Sequence, residues 1–331
     1  MTGGQSDAWD LLADSMAETP LVSVVTPAYN EETHIAQCIE SVLAQTYQNW
    51  EYTIVDNCST DRTAQIAEAY AAGDRRVRVH RNRHFVSAIA NHNIAFRLIA
   101  SDSKYCKVIA GDDWMFPACL EKLVGFAERN PTVVMVGCYR LTGERLNPDG
   151  PPYPQAVIPG REICRRFLLG GPYLPALANN LLYRADIVRA ADPFFPGDHW
   201  HADSEACLNA LEGADLGFVH EILTFDRVRS GSITSRARAD NLYLGDMLDY
   251  LGKFGSRYLS ETELRQRIAE VLGAYHAYLG ERMHEHDAGA LWSRHRQRVA
   301  ALGYRLSPFR VAGKSAMHLA GAAIRRIGRR L

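Results

Sequence analysis

The chain has 331 residues, 47% of them apolar and 23% charged, with a formal net charge of −1. This composition is that of a globular protein built as one large domain with an appendage, or as two domains. The charge balance provides no global basic field for nucleic acid. Seven cysteines, at 38, 58, 106, 119, 138, 164 and 207, form no CxxC or Cys/His metal pattern, and read as reduced, mostly buried thiols. No apolar run reaches the ~18–20 residues that span a bilayer. The first twenty residues carry four acids and no signal-peptide core, so the expected location is the cytoplasm, with room for peripheral attachment to the inner face of a membrane.

Residues 1–19 read as a leader, flexible or loosely helical. Leu21–Thr26 is a short apolar, β-branched run and predicts a buried strand. Ile35, Ile39, Val42 and Leu43 then share one helical face, with Asn30 or Thr33 available as cap. Trp50–Val55 predicts a second strand, and Ser59-Thr60-Asp61 opens a helix carrying Ile66, Ala67 and Tyr70. Strands follow at 77–80, 105–109 and 133–136. Helices are expected over about 86–100 and after Pro117, a residue suited to a first helical turn. Strands alternating with helices imply crossovers, hence an α/β fold with a mostly parallel sheet covered on both faces. After about residue 140 the pattern changes. A Pro/Gly-rich stretch from 143 to 159 reads as loop or hairpin, strands are expected at 181–183 and 216–224, and the chain is helical from about 240.

Three of the predicted strands end in chemistry. The first runs into Thr26-Pro27-Ala28-Tyr29-Asn30-Glu31, the second into Asp56-Asn57, and the fourth into Gly111-Asp112-Asp113. Ligands of open α/β sheets bind beyond the carboxyl ends of the strands. Acidic side chains gathered there suit a nucleoside diphosphate with a divalent metal.

These segments, together with Val55-Asp56-Asn57-Cys58-Ser59-Thr60-Asp61, Gly111-Asp112-Asp113-Trp114 with Pro117, Ala202-Asp203 before a helix, and Phe225-Asp226-Arg227-Val228-Arg229-Ser230-Gly231-Ser232, resemble family 2 glycosyltransferases of the GT-A fold. The resemblance spans roughly residues 20–235, as a nucleotide-sugar half (20–140) and an acceptor half (141–235), followed by a helical region, 236–331. It implies an inverting enzyme that moves a sugar from a nucleotide donor, UDP-linked in the first reading, to a hydroxyl of a glycan or a lipid-linked acceptor. It further implies a divalent metal, Mg²⁺ or Mn²⁺, at Asp112.

The roles implied for single residues follow the motifs. Thr26, Pro27, Ala28, Tyr29, Glu31, Asp56, Asn91, Asp112, Asp113, Arg227 and Arg229 would bind the nucleotide-sugar, with Asp56 accepting from base or ribose and the two arginines facing the diphosphate. Asp203 would be the general base, with Glu205 as its rival. His199, Trp200, His201, Asn179 and Asn180 would touch the acceptor, or else pack as ordinary loop residues. Two departures stand out. Ala110 occupies the place of the first acid of the metal motif, and Ala202 replaces the first member of the acidic pair. A polyprenyl-phosphate glycosyltransferase and a non-catalytic nucleotide-sugar binder are the alternatives. A dinucleotide dehydrogenase is disfavoured, since no glycine-rich loop follows the first strand.

From Pro308 to Leu331 there are six Lys or Arg residues and no acid. Met317, Ala320, Ile324, Ile327 and Leu331 share one helical face, with Arg325, Arg326, Arg329 and Arg330 mostly opposite. That is the pattern of an interfacial helix on an anionic membrane, or of a packed helix with a solvated basic face.

Overall fold

The computed structural model describes residues 19–147, 150–171, 178–197, 199, 201–228 and 241–328, with side chains of the last helix described as far as 320. The chain divides into two compact units, Met1–Gly160 with Leu174–Val228, and Arg161–Tyr173 with Arg229–Leu331.

In the first unit the strands are β1 (Val22–Ala28), β2 (Trp50–Asp56), β3 (Val77–Arg81), β4 (Tyr105–Val108), β5 (Trp114–Met115), β6 (Val133–Thr142), β7 (Arg145–Asn147), β8 (Val157–Pro159), β9 (Leu181–Arg184) and β10 (Asp215–Asp226). The helices are α1 (Ile35–Leu43), α2 (Thr63–Gly73), α3 (Ala88–Arg97), α4 (Cys119–Arg129), α6 (Ala185–Ala190) and α7 (Ala202–Ala210); α5 (Gly160–Leu168) leads into the second unit. The sheet runs in the order β3-β2-β1-β4-β9-β6-β10-β5. β2 pairs parallel with β1 and β3, β1 with β4, and β6 with β10. β9 inserts antiparallel between β4 and β6. The alternation of strand and helix read from the sequence is thus the parallel half of the sheet, and β9 breaks it.

β1 is buried along its whole length, as expected of a parallel strand covered on both faces. Helix α1 packs Ile35, Cys38, Ile39 and Val42 into that core, beside Val22, Val24, Tyr52 and Ile54. The expected caps of α1 do other work. Its N-cap is His34, without a side-chain bond, while Asn30 takes a left-handed turn (φ 55°) and accepts from the Thr60 amide at 2.8 Å. Helix α4 begins at Cys119, two residues beyond Pro117. All seven cysteines are free and only Cys58 is partly exposed; burial pushes the Cys38 thiol up to about 12, where it is inert.

The second unit is helical: α8 (Tyr243–Tyr258), α9 (Glu261–Glu281), α10 (Ala288–Ala301) and α11 (Pro308–Gly328). The segment 161–173, read from the sequence as part of the acceptor half, groups with these helices for a packing reason. Phe167 of α5 lies against Tyr250 with ring centroids 5.7 Å apart, Arg165 pairs with Glu263, and Arg267 donates to the Leu168 carbonyl at 3.0 Å. Helix α9 opens on a capping box in which Ser260 and Glu263 satisfy each other's backbone amides.

Candidate active site

Parallel register brings the strand ends together. Ala28 lies opposite Asp56, and Val25 opposite Val108, so the segments leaving β1, β2 and β4 start from one edge of the sheet. Asp56 is 2% exposed. One carboxylate oxygen accepts from the Ser59 amide at 3.2 Å; the other, Oδ1, is buried and has no partner among the described residues. A buried acceptor left unmade costs roughly 1–3 kcal/mol, more for a charged group, which makes it a strong candidate to meet a ligand donor.

The residues around Asp56 are held by amides. Asn82 donates to Asn57 at 3.0 Å and to Asn91 at 2.8 Å, and Asn91 donates to the Val55 carbonyl at 3.3 Å. Asn91 is therefore a buried strut under the β2 end, rather than a helix-surface residue. The rings of Tyr29 and Phe85 meet 4.8 Å apart and stay largely exposed. The Thr26 hydroxyl points away from this edge, into the core, where it bonds Tyr52 at 2.8 Å; the pleat allows only its backbone to face the site.

The loop after β4 is braced from beneath. Lys107 is 0% exposed, and its ammonium donates to the carbonyls of Val108, at 2.9 Å, and Asn179. Burial holds its pKa below the ordinary lysine value. Asn179 in turn accepts from the Ala110 amide at 2.9 Å and donates to Asp113. The other Asp113 oxygen accepts from the Arg227 amide at 2.7 Å. Arg227 closes the ring through Nε to the Asp112 carbonyl at 3.0 Å and Nη2 to Gln37 at 2.7 Å. At Gly111 a side chain would sit 3.2 Å from Glu31 Cγ and 3.4 Å from Ala28 Cβ, so glycine lets the loop close on the β1 end.

In this arrangement Asp113 is a brace, and the half-buried Asp112 is the acid of the pair suited to a hard cation. The local electrostatics fit one. Burial raises the Asp226 carboxyl, and the Asp112 charge adds to that rise despite Arg140 at 2.8 Å; a cation would relieve the repulsion. Asn179, expected at the acceptor, has its side chain engaged by the loop instead. Asn180 is 0% exposed and donates to the Cys138 carbonyl at 3.1 Å, so it belongs to the core.

A second cluster sits at the start of α7. Asp203 lies in the first turn, with Oδ1 accepting from the Ser204 amide at 2.7 Å. Burial pushes its carboxyl up to about 6, against the opposing pull of His201 and that amide. Glu205, the rival base, is 4% exposed and pairs with His199 at 3.0 Å. Ala202 is 0% exposed; an acid there would enter the core. Trp200 and Arg229 lie outside the described residues.

Sequence reasoning missed Lys107, Asn82 and Phe85. A lysine within the apolar run of β4 was the available signal for the first; nothing marked Asn82, whose role depends on where β3 ends.

Comparison with known proteins places this α/β domain in a family. Residues 23–184 match the model of Glycosyl transferase family 2. The chain is 29% identical over 195 residues to an uncharacterized glycosyltransferase of Haemophilus influenzae, covering 57% of this chain and 59% of that one. It superposes on S. aureus TarS 1–349 in complex with UDP-GlcNAc with a TM-score of 0.64 at 17% identity, covering 85% and 80% of the two chains. It also superposes on the mannosyltransferase PcManGT from Pyrobaculum calidifontis, in complex with GDP-Man and Mn²⁺, with a TM-score of 0.56 at 17% identity, covering 94% and 88%. Residues 23–184 thus form a glycosyltransferase family 2 domain, and the fold is of the GT-A type. It spans between 36% and 59% of the length of the first curated relatives it matches.

Lys107→Met keeps the side-chain volume but removes the donor to two buried carbonyls. Each orphaned carbonyl costs roughly 1–3 kcal/mol, so chemical denaturation is expected to show a clear loss of stability in the first unit, with Asn179→Ala losing less.

Proposed function

We propose that the protein is an inverting glycosyltransferase that transfers a sugar from a nucleotide donor, a UDP-sugar in the first instance, to a hydroxyl of a glycan or lipid-linked acceptor. The observation that carries this reading is the unpartnered, buried Asp56 oxygen at the same sheet edge as the Asp112 loop. A uracil N–H or a ribose hydroxyl supplies the donor that Asp56 lacks, with Tyr29 and Phe85 offering ring faces beside it. UDP-GlcNAc in TarS and GDP-Man with Mn²⁺ in PcManGT make a nucleotide-sugar and a divalent ion reasonable ligands for this fold. The Haemophilus influenzae relative carries the glycosyltransferase name.

Asp203 is the proposed base. Its carboxylate takes the proton of the acceptor hydroxyl as that oxygen bonds to the anomeric carbon, and the bond from that carbon to the nucleoside diphosphate breaks with inversion. Arg227, fixed beside Asp112, faces the charge that develops on the leaving diphosphate. Mg²⁺ or Mn²⁺ held by Asp112 would neutralise the two phosphates when bound. Placement on the inner face of a membrane, with a lipid-linked acceptor, fits the same chemistry.

The carboxyl pushed up to about 6 fixes the sign of the pH dependence. Only ionised Asp203 can accept a proton, so kcat/KM is expected to fall about tenfold per pH unit below 6 and to level above it. Asp203→Asn should cost roughly 10²–10⁴-fold in transfer at neutral pH. The same substitution should raise the melting temperature there. Burial disfavours the charged form, so the stability penalty is full above the folded pKa and is lifted as pH falls from about 6 toward 3.8. A loss of transfer with no stability gain at pH 7, or a rate that stays flat to pH 4, would remove Asp203 as a desolvated base.

Thermal shift tests the donor site directly. UDP with Mn²⁺ is expected to raise the melting temperature, and Asp112→Ala to abolish the metal-dependent part. No shift with any nucleoside diphosphate would overturn the donor-site reading. Binding without release of nucleoside diphosphate in the presence of acceptors would favour the non-catalytic alternative.

A further inference from the structure

The C-terminal helix α11 divides its surface into three stripes. Val311, 2% exposed, and Ser315, 7% exposed, form the seam that packs on α9. Gly280 permits the contact: a Cβ there would fall 2.7 Å from Lys314 Cβ and 2.9 Å from the Ser315 amide nitrogen. Ser315 also meets His284 Nε2 at 2.9 Å. On the remaining surface, Phe309, Ala312, Ala316, Met317, Leu319 and Ala320 are exposed and share an apolar face turned away from the seam. Phe309 is 90% exposed, Met317 59% and Leu319 50%. Large apolar side chains so placed along one helix are not scattered surface residues but a continuous face.

Between this face and the seam runs the third stripe, Arg310, Lys314 and His318, all exposed. The sequence from Pro308 onward contains no acid. A shallow apolar groove of about 210 Å³, lined by Met283, Trp292, Pro308 and Val311, adjoins the start of the helix. In the connector before α10, Glu285 is paired with Arg282 at 3.2 Å.

We propose that the outer face of α11 is a docking surface for an anionic phospholipid bilayer. The apolar face enters the headgroup boundary, led by Phe309, while Arg310 and Lys314 flank it at the level of the lipid phosphates. Charge complementarity selects this occupant: a face with cations along one border and no acids of its own suits a negative surface. The unit carrying it holds none of the residues assigned to sugar transfer apart from Arg229, so the surface stands independently of the catalytic reading.

Co-sedimentation of the full chain with vesicles tests the proposal. Binding is expected to phosphatidylcholine vesicles containing phosphatidylglycerol, to be weak on pure phosphatidylcholine, and to decline with salt. Lys314→Gln should weaken it about fivefold, and Arg310→Gln with Lys314→Gln roughly twenty-five-fold. Phe309→Glu should abolish it while leaving the melting temperature unchanged, since this side chain is almost fully exposed. Absence of binding to the anionic vesicles, or binding unchanged by Phe309→Glu, overturns the proposal. So does a dimer that Phe309→Glu converts to monomer without any vesicle binding, because the face would then cover a second copy.

Discussion

The ammonium of Lys107, buried beneath the end of β4, ties together segments that the chain order keeps far apart. Taking a lysine out of water is costly, and neutral carbonyls rather than a carboxylate receive its protons. The return is geometric. Fixing the Asn179 carbonyl places the Asn179 side chain against Ala110 and Asp113, and Asp113 then fixes the backbone of Arg227 at the far end of β10. The loop that presents Asp112 is thus held by β4, by the turn before β9 and by the exit of β10. A carboxylate proposed to hold a metal needs such support, since the ion supplies none until it arrives.

Asp56 is buried and Asp203 half-buried, and the two carboxylates are set for different ends. Asp56 retains an amide donor from Ser59 and leaves one oxygen free, an arrangement suited to holding a neutral N–H or O–H. Asp203 is desolvated enough to move its carboxyl to about 6, near the working range of a general base. Burial lowers the stability of the charged folded state in exchange for basicity, a trade common where function is concentrated. Two residues along the same helix, Glu205 is paired with His199 at 3.0 Å.

Much of this was legible in the sequence because strand ends are. The apolar runs of β1, β2 and β4, and the acids closing them, pointed to the sheet edge from which these segments leave, without knowledge of any side-chain contact. The GT-A fold followed from the order of the motifs, and family membership bears it out. What escaped depends on contacts distant in sequence. Asn179 and Asn180 look alike as neighbours, yet one turns to the Asp113 loop and the other to the core at Cys138, because a short helical turn precedes β9. Thr26 was grouped with the binding residues through its motif, although the alternation of the strand sends its hydroxyl to Tyr52. Helix α5, just past the Pro/Gly-rich stretch, was not read from the sequence, since its apolar partner Tyr250 lies eighty residues downstream.

The two missing acids can be understood from the same packing. Ala202, the first residue of α7, is fully buried, and a second carboxylate there would be desolvated next to Asp203. Two charges in one desolvated site cannot both ionise cheaply, so alanine leaves Asp203 as the single titrating acid of the pair. Ala110 sits where its amide bonds Asn179 and its carbonyl accepts from Cys38 at 3.4 Å. Burial raises the Asp226 carboxyl, and the Asp112 charge adds to that rise. With Asp226 supplying a second carboxylate close to Asp112, the local negative charge does not depend on the absent residue. The departure at Ala202 therefore removes an acid that the core would have difficulty holding ionised, and the one at Ala110 leaves Asp112 with Asp226 as its neighbouring carboxylate.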